Sequence, residues 1–350
     1  MSSSSPLRFL VVAPNWLGDA VLALPALDAV RSAHPNSEVT VAARRSVADM
    51  FRLTRGAGRV LTLQSDARWW RRAAFRADVD ALRGFDAALL LPNSFQSAWM
   101  VAQAGIAERW GYAADARARL LTRAVRRARG GHQSEYYQRL VAALNMPCRS
   151  GVPAIDLPDP IRDAADDFLR REGHASGALV VLAPGAAYGK AKQWIPEHAA
   201  RLIAALSAEV GATCALVGSR ADAAASARVR RSLPAGARVL DLVGRTSLEM
   251  LAGILARCDA CVSNDSGAMH LAAAVGAPVV ATFGPTNEHA TRPLPRPGRT
   301  ADVLTHEVWC RPCMLRECPI DHRCMTGLTP ERVGAAVHAV LRRRAAAEAE

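Results

Sequence analysis

The chain has 350 residues, half of them apolar, which is more than one hydrophobic core ordinarily serves and predicts two domains. Its formal net charge of +12 and pI near 10.1 call for an anionic partner: nucleic acid, an acidic membrane or a phosphorylated substrate. No apolar run reaches the roughly 20 residues of a membrane span. The opening Met-Ser-Ser-Ser-Ser-Pro lacks a signal peptide's charged-then-apolar order, so a cytoplasmic protein is expected.

The predicted elements alternate. Arg8 to Ala13 reads as a buried strand and Ala20 to Ala33 as the helix after it, followed by strands at Val39 to Ala42 and Ala87 to Leu91. The Pro-rich stretch Val152 to Pro160 has the composition of a linker. Beyond it a second series begins, with strands at Ala178 to Ala183, Thr213 to Val217, Ala260 to Ser263 and Val279 to Phe283. Helices fit between them at His198 to Glu209, Ala221 to Ser232 and Leu248 to Ala256. The fold class is therefore α/β, with two Rossmann-like doubly wound halves facing one another across a cleft. The division expected is residues 1–155, residues 156–328 with a Cys-rich loop at 306–326, and a final helix in 329–350. That helix opens with Thr329-Pro-Glu as N-cap and first turn, and is expected to pack back across the joint.

Ligands collect at the carboxyl ends of strands in open parallel sheets. Three segments fall there. Pro14-Asn-Trp-Leu-Gly-Asp-Ala-Val21 carries one acid, Asp19, which reads either as a helix-start carboxylate or as a proton acceptor for an attacking hydroxyl. The second, Ala183 to Trp194, contains Lys190 and Lys192, and these are the only two lysines of the chain. A sequence that otherwise writes arginine for such charges places two compact ammonium groups in a Gly-rich turn; the choice is between a solvated turn and a phosphate contact. The third, Ser263-Asn-Asp-Ser-Gly-Ala-Met-His270, leaves a strand and opens a helix read as Leu271 to Val275, so that N–H groups can face an anion while Asp265 and His270 orient other parts of a ligand. The dinucleotide fingerprint G-x-G-x-x-G is absent after the first strand, which weighs against an oxidoreductase.

Arginines cluster at Arg68, Arg71, Arg72 and Arg76, and again at Arg117, Arg119, Arg123, Arg126, Arg127 and Arg129. Such runs read as solvated helix faces or as anion-binding surfaces. Aromatic residues make up 5% of the chain and form no nucleic-acid-reading motif, so a membrane surface or a phosphorylated glycolipid is the favoured anion.

Four blocks taken together, Pro14 to Asp19, Leu91-Pro-Asn-Ser-Phe-Gln-Ser97, Pro184 to Trp194 and Ser263 to His270, resemble the ADP-heptose:lipopolysaccharide heptosyltransferases, a glycosyltransferase family of the GT-B fold. The likeness runs in order over nearly the whole chain. The Asp19 turn and the Leu91 to Ser97 block favour the type that acts second. The resemblance implies transfer of heptose from ADP-heptose to the first inner-core heptose of heptosyl-Kdo2-lipid A, with inversion at the anomeric carbon. It implies Asp19 as the base and Lys192 as the lysine that steadies the departing ADP phosphates, with Lys190 in support. Asp265, Ser266, Gly267 and His270 match the donor-binding loop, while Gly218, Ser219 and Asp222 would meet the nucleoside. Asn93, Ser94 and Gln96 would hydrogen-bond acceptor sugar hydroxyls, and the arginine clusters would face lipid A phosphates and Kdo carboxylates. The enzyme would work peripherally on the anionic inner leaflet, from the cytoplasmic side, with no cofactor for catalysis and no nucleic-acid partner.

Eight cysteines remain. Cys148, Cys214, Cys258 and Cys261 lie in or beside apolar segments and read as small core residues. Cys310, Cys313, Cys318 and Cys324 have the spacing of a thiolate knuckle for structural zinc or iron; the other reading is four reduced thiols in a proline-broken loop.

Overall fold

The computed structural model describes residues 6–54, 58–65, 72–174, 176–235, 237 and 239–349, so Arg68 and Arg71 lie outside the described residues. The chain divides into two compact units, Met1–Asp156 and Leu157–Glu350. Each is an α/β layer structure built on one parallel sheet of six strands.

In the first unit the strands are β1 (Arg8–Val12), β2 (Glu38–Arg44), β3 (Arg59–Leu63), β4 (Ala87–Leu90), β5 (Glu108–Ala113) and β6 (Arg123–Arg126), in the order β3-β2-β1-β4-β5-β6. Phe9, Leu10 and Val11 are sealed on both faces, as a central parallel strand requires. The helix read as Ala20 to Ala33 is two helices, Leu17–Leu22 and Leu24–Ala33. Pro25 has no N–H to give back to Val21, so the ladder breaks at Ala23. The second arginine cluster is not a helix face at all: Arg119 lies in the 3-10 turn Ala118–Leu120, and Arg123 and Arg126 lie in β6.

The second unit repeats the plan with β7 (Leu179–Ala183), β8 (Thr213–Leu216), β9 (Leu240–Asp241), β10 (Ala260–Asn264), β11 (Val279–Phe283) and β12 (Ala301–Thr305), in the order β12-β11-β10-β7-β8-β9. In both units the first strand is flanked by the second and the fourth. The reversal of strand order, where doubly wound sheets open a crevice, therefore lies beside β1 in one unit and beside β7 in the other. The final helix, Pro330–Ala349, was expected across the joint; its valines Val333, Val337 and Val340, spaced along one face, are in the core of the second unit with Leu202, Ile203 and Leu206. Burying each such side chain contributes about 1.5–3 kcal/mol. Among the described residues no helix is long and apolar enough to cross a membrane.

Candidate active site

In the first unit the site is assembled at the ends of β1 and β4. Asp19 sits in the first turn of Leu17–Leu22, half-buried, and accepts a hydrogen bond from the Tyr137 hydroxyl at 3.1 Å. Tyr137 is 4% exposed, and burial, followed by the negative charge of Asp19, pushes its phenol well above 10.0. It is therefore a fixed donor that orients the carboxylate. The neighbouring Tyr136 plays the matching part at β4, accepting from Asn93 Nδ2 at 2.8 Å. The helix Gln133–Ala142 thus holds both polar residues in place. Ser94 is the N-cap of Phe95–Gln103, receiving Ser97 N–H at 3.3 Å, and its carbonyl accepts from Ser97 Oγ at 2.7 Å. Gln96 points elsewhere, onto a groove lined by Phe75, Val79, Phe95 and Trp99.

Arg117 departs from the sequence reading. It is fully buried and so does not face an outside anion; its guanidinium donates to the carbonyls of Tyr112 (3.0 Å) and Pro92 and to Ser97 Oγ (3.1 Å). Burial lowers its pKa to about 10. It is an internal strut behind the Pro92–Ser94 turn. Arg123, counted in the same cluster, stacks its guanidinium over the Trp110 ring at 4.9 Å.

In the second unit the carboxyl ends of β7, β8 and β10 converge. Lys192 Nζ lies 2.5 Å from Asp265 Oδ2, with side chains 12% and 5% exposed. The same oxygen accepts from Thr286 Oγ1 at 2.7 Å. Asp265 directly precedes the N-cap Ser266 of the helix Gly267–Val275, which starts four residues earlier than the sequence suggested. Its first N–H groups have no intrahelical acceptor, and the helix dipole adds positive potential there. An ammonium with three donors, one turned to Asp265, and the open end of a nine-residue helix together favour a bound anion. His270 lies inside this helix and is 4% exposed. Lys190 is exposed.

Asn264, which the sequence quoted without a role, ties the two loops. Its amide donates to the carbonyls of Pro184 (3.0 Å) and Gly185 (3.2 Å), and its Oδ1 accepts from Trp194 N–H at 2.9 Å and Thr282 Oγ1 at 3.1 Å. At the end of β8, Ser219 and Asp222 close a capping box. A Cβ on Gly185 would lie 1.9 Å from Asp222 Oδ1, so only glycine lets the lysine loop approach. Gly218, Ser219 and Asp222 are thereby brought against the same loop.

The cysteine-rich segment lies behind the lysine loop. Cys310, Cys313, Cys318 and Cys324 line one void of about 20 Å³ together with Ala191, Pro285 and His322. A void of this size admits a single water-sized sphere. Among the described residues, however, no three His, Cys, Asp or Glu side chains stand at distances that hold a metal. Burial, with the nearby Cys310, Cys318 and Cys313, pushes the Cys324 thiol up to about 11. Of the other cysteines, Cys214, Cys258 and Cys261 are fully buried core residues as read, whereas Cys148 is only half-buried, with its thiol against the Pro25 carbonyl.

Tyr136, Tyr137, Thr286 and His322 escaped the sequence reading because each meets its partner from a distant element; only Asn264, embedded in a quoted motif, carried a local signal.

Two doubly wound α/β units, with Asp19 oriented by Tyr137 in one and Lys192 paired with Asp265 in the other, belong to a chain whose class is that of the glycosyltransferases. Residues 78–323 match the model of glycosyltransferase family 9 (heptosyltransferase), and the chain belongs to that family. It is 30% identical over 304 residues to lipooligosaccharide heptosyltransferase 2 of Haemophilus ducreyi, covering 82% of this chain and 86% of that protein. Against lipopolysaccharide heptosyltransferase 2 of Escherichia coli it is 27% identical over 352 residues, covering 96% and 99%. The solved structure of E. coli ADP-heptose lps heptosyltransferase II matches with a TM-score of 0.80 at 25% identity, over 97% of this chain and 99% of that one. The α/β, two-domain GT-B reading of the sequence therefore holds.

Proposed function

We propose that the chain moves a heptose from ADP-heptose onto the first inner-core heptose of heptosyl-Kdo2-lipid A, with inversion at the anomeric carbon. The names of the relatives support the heptose and the ADP carrier. The single observation that carries the chemistry is the Lys192–Asp265 pair at the start of Gly267–Val275. A diphosphate leaving group gathers negative charge as the anomeric bond breaks, and a fixed ammonium with helix N–H groups answers that charge without reorganising. Asp265 keeps the ammonium aimed; Ser266 and Gly267 supply the helix start, and His270 backs it from within. Gly218, Ser219 and Asp222 receive the nucleoside, and Lys190 adds an outer positive charge.

Asp19 takes the proton from the acceptor hydroxyl. Its carboxylate, oriented by Tyr137, is the base an inverting displacement needs. Asn93 and Ser94 bind acceptor sugar hydroxyls, while Gln96, on the neighbouring groove, stands apart from them. A structural zinc or iron on Cys310, Cys313, Cys318 and Cys324 remains part of the proposal, on their spacing and shared void, and takes no part in transfer.

The enzyme works on the cytoplasmic face of an anionic inner membrane. Support comes from the groove beside Gln96: Phe95 and Trp99, stacked at 6.3 Å and 48% and 41% exposed, form an apolar floor rimmed by Arg72, Arg76 and Arg83, with Asp80 the one acid. Aromatics flanked by cations suit the interface of a bilayer with acidic headgroups. Sedimentation with phosphatidylglycerol vesicles should pull the protein down at low salt, and Trp99→Ala should weaken this; equal sedimentation with neutral phosphatidylcholine would count against it.

The test of the whole reading is incubation with ADP-heptose and acceptors bearing no heptose or one. Only the second should react, and Asp19→Asn should bind ADP as before while transfer falls at least ~100-fold.

A further inference from the structure

We propose that the cysteine-rich loop is a brace for the donor lysine, and that His322 is its chief positioning residue. The inference rests on the reading of Lys192 as a phosphate ligand and goes beyond it, to what fixes Lys192 in place.

The turn that carries the lysines is a three-residue 3-10 piece, Lys190–Lys192, too short to hold its own shape. Its central residue, Ala191, is 2% exposed and has both backbone groups taken from outside the turn. Ala191 N–H donates to the Arg316 carbonyl at 2.9 Å, and the Ala191 carbonyl accepts from His322 Nε2 at 2.6 Å. Just upstream, the Tyr188 hydroxyl donates to the Met314 carbonyl at 2.7 Å. Gly189 lies so close that a Cβ there would be 2.3 Å from the Arg316 carbonyl oxygen. The Tyr188 ring is covered by Lys192 Nζ at 4.8 Å and by the Arg316 guanidinium at 5.2 Å.

The loop also reaches the other member of the ion pair. Arg311, its side chain 5% exposed, donates to the Gly284 carbonyl at 2.6 Å and pairs with Glu288 at 2.8 Å. Between those anchors stands Thr286, which holds Asp265. The ammonium and its carboxylate are thus both supported by one segment.

Placement of the contacts follows the cysteines. Arg311 and Met314 directly follow Cys310 and Cys313, Arg316 stands two before Cys318, and His322 two before Cys324. Two of the contact residues, Met314 (φ 55°) and His322 (φ 57°), adopt the left-handed backbone that non-glycine residues rarely enter. Such conformations persist where surrounding structure over-determines them. His322 lines one void with Cys310, Cys313, Cys318 and Cys324, and the Met314 carbonyl is held by the Tyr188 hydroxyl.

The experiment is ADP titration by calorimetry on the full chain. His322→Ala should weaken ADP binding about 10-fold and raise the KM for donor more than it lowers kcat, with His322→Gln, which retains a donor for the Ala191 carbonyl, restoring most of the affinity. In a Lys192→Ala background, His322→Ala should cost no further affinity, because a brace acts only through what it positions. Should His322→Ala fold poorly, Tyr188→Phe, which removes only the bond to Met314, should lose about 3-fold by the same Lys192-dependent route. Additive losses in the double variant, or full affinity in both single variants, would overturn the brace. Undiminished ADP binding by Lys192→Ala alone would instead remove the donor role from which the inference starts.

Discussion

Tyr137 reaches Asp19 across 118 positions of sequence to donate its hydroxyl at 3.1 Å. The phenol is buried and stays protonated, so the carboxylate is held in one orientation by a donor that does not compete for its proton. Replacing the hydroxyl alone, by Tyr137→Phe, should leave ADP affinity unchanged and lower kcat about 10-fold, as Asp19 loses the donor that orients it. An unchanged kcat would show that Tyr137 does not position Asp19 for transfer.

Arg117 predicts a stability effect without a catalytic one of its own. Arg117→Met keeps bulk but leaves the Pro92 and Tyr112 carbonyls without their donor, which should cost about 2–3 kcal/mol in urea unfolding. Acceptor KM should rise with it, since the turn carrying Asn93 and Ser94 loosens. Loss of stability below ~0.5 kcal/mol would mean that the strut is dispensable.

Alkaline conditions offer a third check. Burial, then Asp19, holds the Tyr137 phenol well above 10.0, and burial, then Tyr136, raises Tyr112 to about 12. Unfolded, both ionise near pH ~10. Above that pH the folded chain binds more protons than the unfolded one, so stability is intact below pH ~10 and falls as pH climbs, by about 1.4 kcal/mol per unit for each group. Urea midpoints measured between about pH 9 and pH 11 should fall, and fall less in the Tyr112→Phe, Tyr137→Phe double variant; parallel curves would refute the assignment.

Protein purified without air should carry about one zinc or iron per chain, and Cys310→Ser with Cys313→Ser should remove it. Turnover at saturating donor should survive metal loss better than donor affinity does. Metal at trace level would leave a cluster of reduced thiols as the tie within the loop.

The central strands were legible in the sequence because a strand sealed on both faces is a nearly unbroken apolar run, as in Phe9-Leu10-Val11-Val12 and Leu179-Val-Val-Leu-Ala183. Strands β3, β5, β6, β9 and β12 were not, because they lie at or next to sheet edges and carry residues such as Arg59, Glu108, Arg123, Arg126 and Asp302. Position in the fold explains the site as well. Asp19, Lys192 and Asp265 stand at strand ends where local pattern and topology coincide. Tyr137, Thr286 and His322 work through contacts made only after folding, and no spacing announces them. Arg117 reverses the lesson: a run of arginines gives no hint that one member is a buried strut.

The scarcity of lysine now acquires a practical side. Lys190 is exposed while Lys192 is engaged with Asp265 and only 12% exposed, so an amine-selective reagent should modify one side chain well before the other. With the α-amino group blocked, a fluorophore at Lys190 would sit two residues from the proposed diphosphate contact. Occupancy of the proposed donor site could then be followed optically, in real time, in a protein carrying no engineered substitution.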